Sequence, residues 1–118
     1  MSFIFRRLFG TSIVNMDAAK AKTQRLIDEN AVMVFSKSYC PYCQNTKRIL
    51  DGYGAKYLAY ELNQENDGSE IQDALLEISG QRTVPNIFIS KKHIGGNSDL
   101  EKRQSNDLEQ LLKEAGAI

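Results

Sequence analysis

The sequence predicts an α/β fold in which a four-stranded mixed sheet carries helices on both faces. Two observations predict it. Apolar residues alternate between helical and strand spacing, in the order helix, strand, helix, strand, helix, strand, strand, helix. A single Cys-x-x-Cys pair, Cys40 and Cys43, falls where the first strand gives way to the second helix.

The first helix and strand are read from a capping residue and an apolar run. Asp17 is expected to cap a helix that ends near Glu29. Residues 31–36 (AVMVFS) form a short continuous apolar run, which is typical of a central strand covered on both faces.

The next helix and strand complete a strand–helix–strand unit. Pro41 opens a helix that we expect to reach about Asp51 and to end at Gly52. Residues 56–62 alternate between apolar and polar side chains and predict a second strand. This connection implies two parallel strands joined by a right-handed crossover.

The remaining elements are a helix, a hairpin and a broken terminal helix. Residues 69–79 carry an apolar stripe at helical spacing. A strand at 86–90 and a short return strand at 93–94 predict an antiparallel hairpin, and the chain is helical from Asp99 with a break near Ser105. Together these elements describe the thioredoxin-like architecture.

Residues 1–16 differ in composition from the rest and are taken as an extension to a domain spanning 17–118. They hold three of the five phenylalanines, two arginines and no acidic residue. A mitochondrial presequence has this acid-poor, amphipathic pattern, and a flexible tail is the alternative. We therefore expect a cytoplasmic protein, with mitochondria as a second compartment if the segment directs import, and Met16 as an alternative start.

Composition excludes several classes of protein. Fifteen basic residues balance fifteen acidic ones, which argues against a basic nucleic-acid binder. No apolar run is long enough for stable membrane insertion, and we expect a monomer. Two cysteines and one histidine are too few for a structural zinc site, so no metal site and no tightly bound cofactor are expected.

The chemistry of the chain is predicted to reside in Cys40. Pro41 suits the first helical position, which makes Cys40 the N-cap, facing the backbone N–H groups of Tyr42 and Cys43. The helix dipole and the nearby Lys37 add positive potential. All of these effects favour the thiolate, so Cys40 is the predicted nucleophile at neutral pH.

Cys43 is predicted to be the resolving cysteine. It lies about one turn further into the helix, where we expect it to be more buried and to have a higher pKa than Cys40. It would attack a mixed disulfide on Cys40 and release the partner. Two alternatives stay open, namely a pair of inert core cysteines and one half of a zinc knuckle shared between chains.

Three spaced motifs carry a family resemblance. The chain resembles the dithiol glutaredoxins, most of all the small fungal ones, over about residues 17–115. The motifs are Lys37-Ser38-Tyr39-Cys40-Pro41-Tyr42-Cys43, Arg82-Thr83-Val84-Pro85 and His93-Ile94-Gly95-Gly96-Asn97-Ser98-Asp99.

The resemblance implies a thiol–disulfide oxidoreductase that uses glutathione as its co-substrate. Its substrates would be protein–glutathione mixed disulfides and protein disulfides. A cis-proline turn at Val84-Pro85 would offer backbone groups to the peptide part of glutathione. The implied glutathione-binding residues are Lys37, Tyr42, Gln72, Thr83, Val84, Pro85, Gly96, Asn97, Ser98 and Asp99.

Several of these residues have a second interpretation. Ser69-x-x-Gln72 reads as a capping box, which would compete with a ligand role for Gln72. Asp99 could cap its own helix while it binds an ammonium group. Arg82 adds positive potential nearby, and His93 is expected to be a strand residue rather than a catalytic base.

A cluster-binding protein is the alternative function. Two chains of this family could bridge a [2Fe–2S] cluster through Cys40 and glutathione. Pro41 stiffens the loop that such a cluster would need, which favours the oxidoreductase.

Overall fold

Helices and strands follow the predicted order in the computed structural model, which describes the backbone of residues 2–118 and the side chains of residues 16–118. The strands are β1 (Val32–Ser36), β2 (Leu58–Glu61), β3 (Asn86–Ile89) and β4 (Lys92–Gly95). The α-helices are α1 (Ser2–Glu29), α2 (Pro41–Gly52), α3 (Gly68–Ser79), α4 (Asn97–Gln104) and α5 (Leu108–Glu114), and a 3₁₀ turn follows β2 at Leu62–Gln64.

The strands form one mixed sheet in the order β2-β1-β3-β4. Strand β1 pairs in parallel with β2, so that Ser36 at the end of β1 lies opposite Glu61 at the end of β2. Strand β3 runs antiparallel to both β1 and β4. The predicted sheet is therefore confirmed, including the parallel pair and the antiparallel hairpin.

The core lies on both faces of this sheet, because successive strand residues point to opposite sides. Val32 and Val34 of β1 pack with residues of α2, α4 and α5. Met33 and Phe35 pack with residues of α1 and α3. These four apolar side chains of β1 are all buried, which is why β1 reads as a continuous apolar run.

The first helix differs from its prediction. Helix α1 continues through Asp17, so the expectation that Asp17 caps a new helix is wrong. Residues 11–16 contain no proline, and a continuous helical backbone pairs the N–H groups that a cap would otherwise satisfy. The side chains of the predicted targeting segment, residues 1–16, lie outside the described part of the chain except for Met16.

The terminal helix breaks where the sequence predicts. Helix α4 ends at Gln104 and α5 begins at Leu108. Across the described part of the chain, none of the helices is both long enough and apolar enough to cross a membrane.

Candidate active site

The two cysteines lie at the start of α2, directly behind the carboxyl end of the central strand β1. Cys40 is the N-cap in an extended conformation, with Pro41 in the first turn of the helix, as predicted. The Cys40 side chain is half-buried, whereas Cys43 is fully buried. One thiol can therefore meet a substrate, and the other can be reached only from within the protein.

The pKa of the Cys40 thiol is lowered from its ordinary value, although burial acts to raise it. The sulfur forms no geometrically regular capping hydrogen bond. Its anion is nevertheless stabilised by the N–H and the thiol of Cys43, by the N–H of Tyr42 and by the charge of Lys37. These groups outweigh the loss of solvation, which favours the thiolate.

The pKa of the Cys43 thiol is raised, chiefly because the side chain is buried. The Lys37 N–H and the Ser36 hydroxyl oppose this shift, and the neighbouring Cys40 adds to it. The two thiols thus depart from their ordinary values in opposite directions. That difference is the one the sequence predicts for a nucleophile and a resolving cysteine.

The segment that carries Cys40 is held by hydrogen bonds to its own turn and to the 3₁₀ segment. The Cys40 N–H donates to the Lys37 carbonyl at 3.0 Å. The Ser38 N–H donates to Asn63 Oδ1 at 2.9 Å, and Asn63 Nδ2 donates to Ser38 Oγ at 2.7 Å. These bonds fix the path of the chain as it enters α2.

A cavity of about 300 Å³ opens beside this helix terminus. It brings together seven of the ten predicted glutathione-binding residues, drawn from three separate parts of the chain. Its lining residues are Tyr42, Thr83, Val84, Pro85, Gly96, Asn97, Ser98 and Glu101.

Two glutamines shape the loop that forms one wall of the cavity. Gln72 Nε2 donates to the Arg82 carbonyl at 3.0 Å. Gln81 Nε2 donates to the carbonyls of Thr83 and Pro85 at 3.1 and 3.0 Å.

Val84 is left with free backbone groups in this loop. The Val84–Pro85 peptide is cis, as predicted. Within the described part of the chain, the Val84 N–H and C=O have no protein partner, unlike the carbonyls on either side. They are available to an extended peptide.

The other wall is the start of α4. Gly95 has φ of 119°, and a side chain there would collide with the Asp99 carboxylate, so only glycine fits. Asp99 Oδ2 accepts the Gly96 N–H at 2.8 Å. The first-turn N–H groups of Asn97, Ser98 and Asp99 have no partner within the helix, so they can donate to an anion.

Gln72 corrects one prediction. Helix α3 begins at Gly68 with Asp67 as its N-cap, one residue before Ser69, so the expected Ser69-x-x-Gln72 capping box is wrong. Gln72 is only 7% exposed, and its amide nitrogen holds the Arg82 carbonyl. The side chain supports the loop from within the protein, and it does not line the cavity.

The other predicted residues outside the cavity lining are Lys37 and Asp99. Lys37 acts on Cys40 through its charge, and Asp99 caps α4. Arg82 is exposed and pairs with Asp73 at 3.0 Å. His93 lies in β4 with Nε2 at 2.9 Å from Asn86 Oδ1, which confirms it as a strand residue.

Two residues at this site, Glu101 and Gln81, are not among those predicted from the sequence. Glu101 lines the cavity and accepts a hydrogen bond from Asn97 Nδ2 at 3.3 Å. The i,i+4 spacing of the two residues on α4 is the signal that could have found it. Gln81 carries no such signal, because its contacts with Thr83 and Pro85 depend on the shape of the loop.

Comparison with known proteins gives consistent matches. The family model described as Glutaredoxin matches residues 32–94. A glutaredoxin from Ricinus communis is 57% identical over 101 residues, covering 85% of this chain and 99% of that relative. Glutaredoxin-2 from Schizosaccharomyces pombe is 48% identical over 97 residues, covering 81% and 88%. The resemblance thus extends to plant proteins as well as to fungal ones.

Solved structures match at the level of the whole fold. The crystal structure of a buckwheat glutaredoxin–glutathione complex aligns with a TM-score of 0.85 at 48% identity, covering 88% of this chain and 96% of that one. The solution structure of reduced glutaredoxin C1 from Populus tremula x tremuloides aligns with a TM-score of 0.86 at 43% identity, covering 90% and 92%. These alignments confirm the thioredoxin-like architecture.

Proposed function

Because the chain belongs to the glutaredoxin family, we propose that it reduces protein–glutathione mixed disulfides and protein disulfides with glutathione as its co-substrate. The observation that carries the proposal is the lowered pKa of a half-buried Cys40 beside a peptide-sized cavity. A thiolate that solvent can reach is the species that attacks a disulfide sulfur.

The reaction begins when the Cys40 thiolate attacks one sulfur of the substrate disulfide. With a protein–glutathione mixed disulfide, the protein leaves as its thiolate and glutathione stays bonded to Cys40. A second glutathione then attacks the glutathione sulfur, which releases glutathione disulfide and regenerates the Cys40 thiolate. With a protein disulfide, Cys43 attacks the Cys40 sulfur instead and releases the second protein thiolate. This leaves a Cys40–Cys43 disulfide, which two glutathione molecules reduce with release of glutathione disulfide.

The cavity supports glutathione as the bound tripeptide. In this proposal the Val84 N–H and C=O pair with the backbone of glutathione, while Tyr42, Thr83 and Pro85 line the cavity around it. The match to a buckwheat protein solved with glutathione supports the same ligand.

The two carboxylates and the ammonium group of glutathione would each be bound by different groups of the protein. The first-turn N–H groups of Asn97, Ser98 and Asp99 would donate to the γ-glutamyl carboxylate, and the Asp99 side chain would bind the ammonium group. Lys37 would attract the glycyl carboxylate, and Gln72 would hold the loop that shapes the site.

Two variants test the assignment of the thiols. Turnover is measured with a small glutathione mixed disulfide and with a protein disulfide, each coupled to glutathione reductase and NADPH. We expect Cys40→Ser to abolish both activities, whereas Cys43→Ser keeps the first and loses the second. Ser90→Ala, an exposed turn residue, is the control. Loss of both activities in Cys43→Ser would contradict the two-route scheme.

The compartment is proposed on composition alone. The acid-poor residues 1–16 support delivery of a fraction of the protein to mitochondria, with the remainder in the cytoplasm. Fusion of residues 1–16 to a fluorescent protein tests this, and a wholly cytosolic signal would contradict it. The two-chain [2Fe–2S] alternative has no observation in its favour among the described residues and stays a prediction, as does the monomeric state.

A further inference from the structure

Val84 lines the cavity, and one side chain sets the direction of its N–H. The Val84 N–H and the Thr83 C=O belong to one peptide unit, which is planar and trans, so the two groups point in opposite directions. Gln81 Nε2 donates to the Thr83 carbonyl at 3.1 Å. The Val84 N–H therefore points away from Gln81, and it has no partner within the described part of the chain.

The same amide also holds the chain on the far side of Val84. Gln81 Nε2 donates to the Pro85 carbonyl at 3.0 Å. A primary amide has two N–H donors, and Gln81 directs them to the carbonyls that precede and follow Val84. Gln81 does not line the cavity, so it shapes the backbone that faces a ligand without contacting the ligand there.

Two polar side chains anchor the main chain of Gln81. The Gln81 N–H donates to Ser79 Oγ at 3.2 Å, and the Gln81 carbonyl accepts a hydrogen bond from Asn86 Nδ2 at 3.1 Å. Asn86 is the first residue of β3 and is fully buried. Its Nδ2 also donates to Ser79 Oγ at 3.2 Å, so the two anchors are bonded to each other.

His93 completes the hydrogen bonds of the buried Asn86 amide. A backbone carbonyl can only accept, so the Asn86 atom beside the Gln81 carbonyl must be the amide nitrogen. The amide oxygen therefore lies 2.9 Å from His93 Nε2, and that ring nitrogen must carry a hydrogen. With its nitrogen and its oxygen both bonded, the Asn86 side chain has a single orientation, and it ties the loop to β4.

We propose that Gln81 is a positioning residue for glutathione, and that Ser79 and Asn86 act through it. The Gln81 amide holds the Val84 N–H in the direction in which it pairs with the peptide backbone of the ligand. This inference rests on the proposed function and names the residues that prepare the binding loop. A loop that is already held in its binding conformation loses less conformational entropy when the ligand binds. The network should therefore favour binding of a peptide and leave the reactivity of the thiol unchanged.

The test compares two disulfides that react with Cys40. Glutathione disulfide has a peptide backbone, whereas hydroxyethyl disulfide has none. The full-length reduced protein is mixed with each disulfide, and rapid quenching with mass spectrometry gives the second-order rate constant for modification of Cys40. The ratio of the constant for glutathione disulfide to that for hydroxyethyl disulfide separates recognition of the peptide from reactivity of the thiol.

Gln81→Met keeps the length of the side chain and removes both donors. We expect it to lower the ratio by about fivefold to about twentyfold, as for loss of two hydrogen bonds that shape a binding site. The rate constant with hydroxyethyl disulfide should stay within about twofold of the parent, because Gln81 has no contact with Cys40. Gln104→Met, an exposed residue at the end of α4, is the matched control.

A second variant tests whether Asn86 acts through Gln81. Asn86→Asp keeps an oxygen for His93 but cannot donate to the Gln81 carbonyl, and it should lower the ratio by about threefold or more. The double variant Gln81→Met, Asn86→Asp should lower the ratio no further than Gln81→Met alone, because two residues that act on one structure are not additive. The exposed Asn106→Asp is the matched control.

Binding is measured separately with S-methylglutathione, which cannot exchange disulfides. In an NMR titration the Val84 amide signal of the parent should shift as the ligand binds. The Kd should rise by about fivefold or more in Gln81→Met. A Val84 signal that does not respond in the parent would contradict the assigned contact.

Each outcome bears on the proposal. An unchanged ratio in Gln81→Met would overturn it, and so would an equal loss of rate with both disulfides. Additive losses in the double variant would overturn the role of Asn86. Should Asn86→Asp not fold, Ser79→Ala takes its place, because Ser79 Oγ holds both the Gln81 N–H and the Asn86 amide. If the parent reacts no faster with glutathione disulfide than with hydroxyethyl disulfide, the proposed use of glutathione itself fails.

Discussion

A buried hydrogen bond between two helices offers the sharpest test of how the site is held. Thr46 of α2 is fully buried, and its Oγ1 donates to Asn97 Oδ1 at 2.9 Å. Asn45 Nδ2 donates to the same oxygen at 3.0 Å. Asn97 is the first residue of α4, so this contact ties the cysteine-bearing helix to the helix that bounds the cavity.

Replacing Thr46 with valine removes the hydroxyl while it keeps the branched shape. A net buried hydrogen bond contributes about 0.5–1.5 kcal/mol, and an oxygen left wholly unpaired would cost about 1–3 kcal/mol. Asn97 Oδ1 keeps the bond from Asn45, so the lower range applies. We expect Thr46→Val to lower the free energy of unfolding by about 1 kcal/mol, or about 4 °C in Tm for a chain of this size.

Thr23→Val is the matched control. Thr23 is also fully buried, but its Oγ1 donates to the Ala19 carbonyl one turn back on its own helix. That carbonyl still accepts a hydrogen bond from a backbone N–H of the helix. The decrease in the free energy of unfolding caused by Thr23→Val should therefore stay below about 0.5 kcal/mol. Urea unfolding measures both variants.

Function supplies a second measurement on the same variants. Thr46→Val should raise KM for a glutathione mixed disulfide, because Asn97 is held less firmly, and should leave the pKa of Cys40 unchanged. Equal destabilisation by Thr46→Val and Thr23→Val would refute the reasoning, since the interhelical bond would then contribute nothing beyond a local one.

Two further predictions concern charge. Lys37→Gln should raise the pKa of Cys40 by less than about one unit, because the charge of Lys37 is the smallest of the effects that lower this pKa. The pH dependence of alkylation by iodoacetamide measures the pKa. Lys56→Gln, at the opposite end of the sheet, is the control. Burial lowers the pKa of His93, and the charge of Asp99 opposes this shift. Below about pH 6.5 the unfolded chain therefore binds more protons at this residue than the folded chain does, so the free energy of unfolding decreases as the pH falls. His93→Gln should flatten the free energy of unfolding between about pH 7.5 and about pH 5.5, and an unchanged slope would contradict this.

The chemistry at Cys40 could be predicted from sequence because its determinants are local. A cysteine before a proline at the end of an apolar strand defines the N-cap, and the next two N–H groups follow from helix geometry. The burial of Cys43 follows from its place one turn further along. No distant residue has to be known for either conclusion.

The start of α3 could not be read in the same way. Ser69 and Gln72 have the spacing of a capping box, yet the helix begins at Gly68. Gly68 packs so closely on the Leu62 carbonyl that a side chain there would collide with it. A contact outside the helix therefore sets its first residue, and Gln72 is free to hold the Arg82 carbonyl instead.

The loop at 81–85 shows the same limit. Its motif identifies the segment. Which of its carbonyls accept a hydrogen bond depends on the side-chain amides of Gln81 and Gln72, and the partners of these amides are fixed only by the folded structure. The free backbone groups of Val84 are what remains after those bonds form. The amino-acid sequence alone does not show which backbone N–H and C=O groups remain unpaired.

The geometry of the two thiols also gives the proposed dithiol reaction its order. In the reduced protein the Cys40 anion is one of the causes that raise the pKa of Cys43, so the resolving thiol stays protonated while the nucleophile is free. Bonding Cys40 to a substrate removes that charge, while the Lys37 N–H and the Ser36 hydroxyl continue to favour a Cys43 thiolate. The first covalent step therefore eases the ionisation that the second one needs. In the proposed reaction, two residues of the same type, three positions apart, act in sequence because one helix terminus exposes the first and buries the second.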